Sequence, residues 1–491
     1  MTYRAIVGTA VLVLGAALSA HAETRTSFVT ESGAAAPAPT PFANSNGLLP
    51  PNYKGPLFTL SHAYPATLPA APADWPWRKA IGDGPITVAN AAAYVAALKR
   101  YVGADMRLML TDSPKWNPAR LHWYNEPWTG YLREATHGMY VGSSNFAPDL
   151  FQGSGLTKPF TTYVLTFYDG RAANALYKVW GRTATMPNIK AGAPQFADGG
   201  IAVKAAFTTA NADVWPVMQD ALQWPLYIST NATLGRGQSA PPQLDPTSFF
   251  QFDIIVKDTR SAPQTGWVFA TLVYDKDAPG KDFWDKMVPL GAMWGNDPDA
   301  DSSKSPPPPL TQNWINPNAP HYATMTLGWG GRLSGPNDGA VNDSVIDAAV
   351  PTVAPNLPSS SCMSCHSVAE WPMKSFLLPS STTQMTPTNP AGHFTISCGG
   401  FVNSDYMPMW PPGSSGSDGT AQWMHWFQSR PGTQPADAHT VAFDYDMVFV
   451  FKSLQAWASQ QPGGTAGLAA APRPSNPLPS GNYNGRPFEA H

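Results

Sequence analysis

Short apolar segments rich in β-branched and aromatic residues recur through the middle of the chain. They are bounded by residues that favour turns, and this combination is typical of β-strands. The predicted strands are Thr161–Tyr168, Ile201–Phe207, Phe249–Val256 and Trp267–Tyr274. Because strand signals dominate to about residue 330, the sequence predicts a β-rich domain over residues 81–345.

Helical spacing of apolar residues occurs in two places. Between Thr87 and Val102 the apolar positions recur every three or four residues, and Gly103 can end that helix. A second helix is expected at Tyr445–Ser459. The expected fold class is therefore α+β, with a β-rich N-terminal body followed by a loop-rich, partly helical C-terminal segment over residues 346–460.

The first residues have the order of a secretory signal peptide. Arg4 supplies a positive charge, an apolar run follows, and Ala20-His21-Ala22 has the small residues of a cleavage site. A membrane anchor is the alternative, but no stop-transfer pattern follows Glu23. We therefore expect residues 1–22 to be a cleaved signal peptide, the protein to be periplasmic or secreted, and the mature chain to have no transmembrane segment.

The two flanking regions differ from the body in composition. Residues 23–80 are rich in Ala, Pro, Ser and Thr and are expected to form a linker or an arm across the surface. Residues 461–491 are rich in Gly, Pro and Ala and are expected to be disordered.

Composition excludes one class of partner. The net charge is −3 and only 13% of the 491 residues are charged, so there is no basic field to attract nucleic acid. Together with the low charge, the 18 Trp and 52 Pro argue against a helical bundle, a coiled coil and an acidic disordered tail.

The strongest chemical signal is the segment Cys362-Met363-Ser364-Cys365-His366. Cys-x-x-Cys-His is the attachment sequence of c-type haem. Two thiols one helical turn apart can add to the two vinyl groups of one porphyrin, and the adjacent imidazole then reaches the iron. The chain has only three cysteines, so a chance match to this pattern would be rare. The sequence predicts one covalent haem c on Cys362 and Cys365, with His366 as the proximal iron ligand.

Other interpretations of the same cysteines stay open at this point. A zinc site could combine Cys362, Cys365 and Cys398 with a histidine such as His393. The pair Cys362 and Cys365 could instead be a redox-active dithiol or a plain structural disulfide. Cys398 has no role in the haem interpretation.

With this motif the C-terminal region resembles small monohaem c-type cytochromes of class I. In that family a methionine followed by proline ligates the iron from the distal side, some tens of residues after the proximal histidine. The resemblance implies Met407, in Tyr406-Met407-Pro408, as the candidate distal ligand, with Met409 as the alternative and His393 as a third candidate.

The whole chain has two further resemblances, one to a broad group of exported proteins and a fainter one to a class of haem proteins. It is similar to long exported proteins of uncharacterised activity with one haem motif near the C-terminus, through the segments Gly331–Pro336 and Phe443-Asp444-Tyr445. It also resembles, more distantly, the lysine-crosslinked haem proteins that oxidise hydroxylamine, through Val203-Lys204 and Gly266–Phe269. Lys204 lies far upstream of the haem motif, so a strand lysine facing solvent is the simpler expectation.

The motif and the export pattern support two main functions, of which the first is preferred. The protein is expected to be an exported c-type cytochrome that transfers electrons to or from a redox partner protein. The alternative is a haem enzyme acting on a small substrate, such as a peroxide or a nitrogen oxide, in an open distal pocket. A binding module whose haem only stabilises the fold is a third hypothesis.

Overall fold

The computed structural model of the chain describes residues 42, 49–111, 115–128, 133–142, 146, 148–182, 186–228, 243–301, 304, 306–338, 361–372, 384–387, 394–398, 401–402, 424, 427–454 and 457–458. The strands are Trp123–Asn125 (β1), Tyr140–Val141 (β2), Thr162–Asp169 (β3), Ile201–Thr208 (β4), Gln223–Ile228 (β5), Gln243–Lys257 (β6), Trp267–Tyr274 (β7), Met287–Met293 (β8), Asn313–Ile315 (β9), Glu370–Trp371 (β10), Gln384–Pro387 (β11), Phe394–Cys398 (β12), Phe401–Val402 (β13) and Val441–Ala442 (β14).

Helices are fewer and mostly short. The α-helices are Pro76–Lys79 (α1), Ala91–Thr111 (α2), Pro118–Leu121 (α3), Gly170–Trp180 (α4), His321–Thr324 (α5) and Cys362–His366 (α6). Single turns of 3₁₀-helix lie at Pro148–Phe151, Pro216–Met218 and Trp329–Gly331, and a π-helical turn lies at Phe449–Leu454.

One antiparallel sheet dominates the described residues. Nine strands take part in it, in the order β1-β3-β4-β6-β7-β8-β9, with β2 paired to β3 and β5 paired to β6. Every residue of β7 is buried, which places this strand in the centre of the core. The coarse expectation of an α+β chain with a β-rich body is confirmed, and Trp267–Tyr274 has the predicted bounds.

The register of the sheet aligns a row of polar residues across its central strands. Lys204 of β4 pairs with Thr166 of β3 on one side and with Asp253 of β6 on the other, and Asp253 pairs with Thr271 of β7. Directly paired residues in an antiparallel sheet lie on the same face. The four polar side chains therefore meet on one face of a sheet that is otherwise strongly apolar.

Helix α2 lies over the opposite face. Phe252 alternates with Asp253 along β6, and its ring lies 5.0 Å from that of Trp284, which in turn contacts α2 at Gly103. The predicted helix is confirmed in this region, but it begins at Ala91 and continues past Gly103 to Thr111. The expectation that Gly103 ends the helix is wrong. A Cβ there would lie 2.9 Å from Trp284 Nε1, so the glycine permits close packing.

The C-terminal part joins the same core. Met363 and Cys365 of α6 are buried in one hydrophobic cluster with the sheet. In the predicted helix Tyr445–Ser459, the described residues from Met447 onward are helical: residues 447–448 and 457–458 are α-helical and Phe449–Leu454 form a π-helical turn. Strands β10 and β14 pair with each other and bring the residues after Ala442 next to α6.

The described part of residues 23–80 also contacts the body. Phe58, Leu60, Tyr64 and Trp77 bury their side chains in the common core, although most of this stretch has no regular secondary structure. Residues 1–22 and 461–491 lie outside the described residues. No helix in the described ranges is both long enough and apolar enough to cross a membrane.

Candidate functional site

Helix α6 is started by a reciprocal pair of hydrogen bonds. The Ser361 hydroxyl accepts from the Ser364 N–H at 3.2 Å, and Ser364 Oγ accepts from the Ser361 N–H at 2.6 Å. Such a capping box satisfies backbone donors that a helix of five residues would otherwise leave unpaired. The helix then places Cys362 and Cys365 one turn apart on one side, as the attachment motif requires.

The segment before α6 is fixed by a buried arginine. Arg332 is fully buried, lies against the adjoining rings of Trp329 and Phe427, and donates to four backbone carbonyls. The next residue, Leu333, accepts from the Cys362 N–H at 2.9 Å. Arg332 thus anchors the chain from which the helix begins. No local pattern in the sequence indicated this role, although the residue lies within the segment Gly331–Pro336.

His366 is held by a backbone carbonyl. Its Nδ1 lies 2.7 Å from the carbonyl oxygen of Tyr445. A carbonyl can only accept, so Nδ1 carries the proton and Nε2 keeps its lone pair. Burial lowers the pKa of His366 to about 4, although the bond to Tyr445 opposes the shift. The ring is therefore neutral at physiological pH. Phe269 fixes its other side, with the two ring centroids 5.0 Å apart.

The two thiols are free and protonated. Cys365 is buried, Cys362 is partly buried, and no disulfide joins them. Burial is the main cause that raises the pKa of both thiols, and the nearby carboxylate of Asp338 adds to it. A reactive dithiol needs a lowered thiol pKa, so this environment does not favour the redox-pair interpretation.

A cavity opens directly beside the motif. Its volume of about 420 Å³ includes space open to solvent, and its lining includes Cys362, Cys365, His366 and the polar sheet residues Lys204, Asp253 and Thr271. A second cavity, whose volume of about 490 Å³ also includes space open to solvent, shares Lys204 and His366 with the first and extends past Tyr168, Trp267 and Asp446. Lys204 and His366 therefore border both cavities.

Lys204 is buried in the wall of these cavities. It is only 8% exposed, and its ammonium lies 3.0 Å from an oxygen of Asp253 and 3.1 Å from an oxygen of Asp338. Burial alone would lower its pKa, but the two carboxylates raise it instead, so Lys204 stays charged. The expectation of a solvent-facing lysine is wrong, because Lys204 lies on the same sheet face as Asp253 and its ammonium is buried between the carboxylates of Asp253 and Asp338.

The two carboxylates are themselves embedded in hydrogen bonds. Asp253 accepts from the Thr271 hydroxyl at 2.8 Å and from the Gln251 amide at 3.0 and 3.1 Å. Asp338 accepts from Gln251 at 3.3 Å and from Asn337 at 3.1 Å. Burial, with repulsion from Asp338, raises the pKa of Asp253 despite the attraction of Lys204. The cluster therefore combines one ammonium group with two carboxyl groups.

Asp446 is a further acidic residue, and it faces the second cavity. Burial raises the pKa of Asp446 to about 6, and this carboxylate is hydrogen-bonded to Tyr168. Burial and the same carboxylate raise the pKa of Tyr168 well above its usual value. The sequence carried no signal for this pair, since the two residues are far apart in the chain.

Several predicted site residues lie outside the described residues. They are Met407, Met409 and His393. Cys398 is the last residue of β12, where the structure describes the backbone only. Within the described residues there is no group of three or more His, Cys, Asp and Glu side chains that could hold a metal ion.

Comparison with protein-family models, with curated proteins and with solved structures finds no match for this chain. Its function is therefore inferred from the geometry of the site. The residues present fit a covalently attached haem. The imidazole of His366 is neutral and oriented, and its Nε2 keeps a lone pair. It lines one cavity together with the protonated thiols of Cys362 and Cys365.

Proposed function

We propose that this protein is an exported c-type cytochrome that binds one haem c and transfers electrons. The observation that carries the proposal is the bond from His366 Nδ1 to the Tyr445 carbonyl, beside the free thiols of Cys362 and Cys365. A proximal histidine needs this arrangement, because the bond at one ring nitrogen fixes the orientation and leaves the other nitrogen for the metal.

Cys362 and Cys365 would hold the porphyrin through two thioether bonds, and His366 Nε2 would ligate the iron. The bound haem supplies one-electron exchange between the ferric and ferrous states. The surrounding protein orients the imidazole through Tyr445 and Phe269. Export is supported by the pattern of residues 1–22, since c-type haem is attached outside the bacterial cytoplasm, and an unidentified redox protein would be the partner.

The attachment is tested by counting thioether bonds. The pyridine haemochrome spectrum depends on how many vinyl groups have reacted, so the wild-type protein should show the spectrum of a haem with both vinyls saturated. Cys362→Ser and Cys365→Ser should each show one unsaturated vinyl group. The matched control is Cys398→Ser, which should keep the wild-type spectrum. A wild-type protein without this haem spectrum would overturn the proposal.

A second candidate function is a haem enzyme acting on a small substrate. The observation that favours it is the buried cluster of Lys204, Asp253 and Asp338 in the cavity wall. Buried charges cost free energy, and perturbed titratable groups in a cleft are concentrated at functional sites. An ammonium and two carboxylates could bind a polar substrate and exchange protons with it. The position of Lys204 also supports the resemblance to lysine-crosslinked haem proteins.

Carbon monoxide separates the two functions. If a methionine such as Met407 closes the sixth position, the reduced spectrum should not change with carbon monoxide, and electron transfer is favoured. A high-spin protein that binds carbon monoxide would favour the enzyme. Peptide mapping adds an independent test, because a Lys204 crosslink would connect its peptide to the haem peptide containing residues 362–366.

A further inference from the structure

The carbonyl that orients His366 belongs to an unusual backbone segment. Asp444 and Tyr445 both have positive φ angles, 48° and 69°, a left-handed conformation that non-glycine residues adopt only when their surroundings impose it. The two residues turn the chain so that the Tyr445 carbonyl reaches His366 Nδ1 at 2.7 Å. Something in the fold must stabilise this turn.

Asp444 supplies that stabilisation through its buried carboxylate. The side chain accepts three hydrogen bonds: from Lys257 Nζ at 2.6 Å, from Trp267 Nε1 at 2.8 Å and from the backbone N–H of Phe196 at 2.8 Å. Asp444 is 1% exposed and Lys257 is 6% exposed, so this is a buried ion pair. Charge-assisted bonds of this kind are shorter and stronger than neutral ones.

Two of the three donors to Asp444 belong to the sheet. Lys257 and Trp267 are directly paired residues of β6 and β7, and the ammonium lies 5.0 Å from the centre of the indole ring. Gly266 leaves room for this arrangement, since a Cβ there would lie 3.1 Å from Lys257 Nζ. The end of the central strand pair therefore fixes the position of Asp444 and, through the next residue, the position of the Tyr445 carbonyl.

We infer that Asp444 and Lys257 are positioning residues that set the strength of the hydrogen bond at His366 Nδ1. This role rests on the proposed function, because the bond affects a redox centre only if His366 ligates iron. A strong bond at Nδ1 makes the imidazole a better electron donor and so favours ferric iron. Loosening the Asp444 turn should weaken the bond and favour ferrous iron.

The decisive variant removes both charges together. Asp444→Asn alone leaves Lys257 buried without its partner, which destabilises the fold and also adds positive charge near the haem. Lys257→Met combined with Asp444→Asn leaves the net charge unchanged, and replacing a buried ion pair by neutral residues is often tolerated. Asparagine also accepts the positive φ at position 444. If Asp444 and Lys257 had a purely structural role, this double variant would have the reduction potential and the Nδ1 proton exchange rate of the wild type.

Two measurements on the matured, haem-loaded protein test the inference. The one-electron reduction potential of the double variant should rise, corresponding to up to about a tenfold change in the ferric–ferrous equilibrium, or 59 mV. The His366 Nδ1 proton, observed by NMR, should exchange with solvent at least about tenfold faster, because the bond that protects it is weaker.

The matched control is Glu126→Gln combined with Arg133→Met, which removes both charges of another buried ion pair and leaves the net charge unchanged. It should leave both the potential and the exchange rate unchanged. Wild-type potential and exchange in the double variant would overturn the inference while leaving the proposed function intact. A wild-type protein without haem, or with haem not ligated by His366, would overturn both, and this is visible before any variant is made.

Discussion

Replacing Lys204 by methionine should strongly destabilise the fold, and the loss should depend on pH. The ammonium bridges Asp253 and Asp338 at 3.0 and 3.1 Å, and all three residues are less than 10% exposed. Removing one partner of a buried ion pair costs about 3–5 kcal/mol, because the other charge is left uncompensated. Here two carboxylates lose their shared cation, so the upper part of that range is expected at neutral pH.

Protonation of the two remaining carboxylates, Asp253 and Asp338, should reverse much of this loss of stability. Burial, with repulsion between the carboxylates, already raises the pKa of Asp253, and removing Lys204 raises it further. The destabilisation is present above this raised folded-state pKa and declines as the pH falls below it. Between the folded pKa and the unfolded value near 3.9, each pH unit should recover about 1.4 kcal/mol.

Urea unfolding of Lys204→Met at about pH 7.5 and about pH 5 measures both effects. Adding Asp253→Asn should restore part of the stability, since only one uncompensated carboxylate then remains. The matched control is Lys79→Met, which breaks an exposed pair with Asp74 and should cost less than about 1 kcal/mol at either pH. A loss below about 1 kcal/mol for Lys204→Met, or an equal loss at both pH values, would refute the reasoning.

Three further predictions concern packing and the iron ligands. Gly103→Ala should lower the free energy of unfolding by about 1–3 kcal/mol, because the new Cβ meets Trp284 and this outweighs the better helix propensity of alanine. Thermal unfolding measures this loss, and a stabilised variant would contradict the prediction. His366→Ala should give low yields of protein with weakly bound or five-coordinate haem, and an unchanged absorption spectrum would remove its assignment as ligand. Met407→Ala should lower the reduction potential and allow carbon monoxide to bind, whereas Met409→Ala should do neither. If only Met409→Ala has these two effects, Met409 is the ligand.

The sequence predicted those parts of the fold that depend on local patterns. β-Branched and aromatic runs located the central strands, and Trp267–Tyr274 was predicted with its observed bounds. The attachment motif was equally local, and the structure places Cys362, Cys365 and His366 around one cavity. These features need only neighbouring residues to be recognised.

What could not be predicted depends on contacts between distant residues. Lys204 was expected to face solvent because a lysine in a strand usually does, and its partners at positions 253 and 338 are identified only by the sheet register and the fold. The partner of His366 is a backbone carbonyl, which has no signal in the sequence. The length of α2 was missed because glycine usually ends helices, whereas Gly103 accommodates Trp284.

The mass of the intact mature protein tests the central claim most directly. The protein is produced in a host that attaches c-type haem, denatured, and extracted with acidified organic solvent, which removes any haem that is not covalently bound. We predict a polypeptide that keeps the mass of one haem, and a Cys362→Ala, Cys365→Ala double variant that loses it. A wild-type polypeptide with the mass of the bare chain would contradict the account.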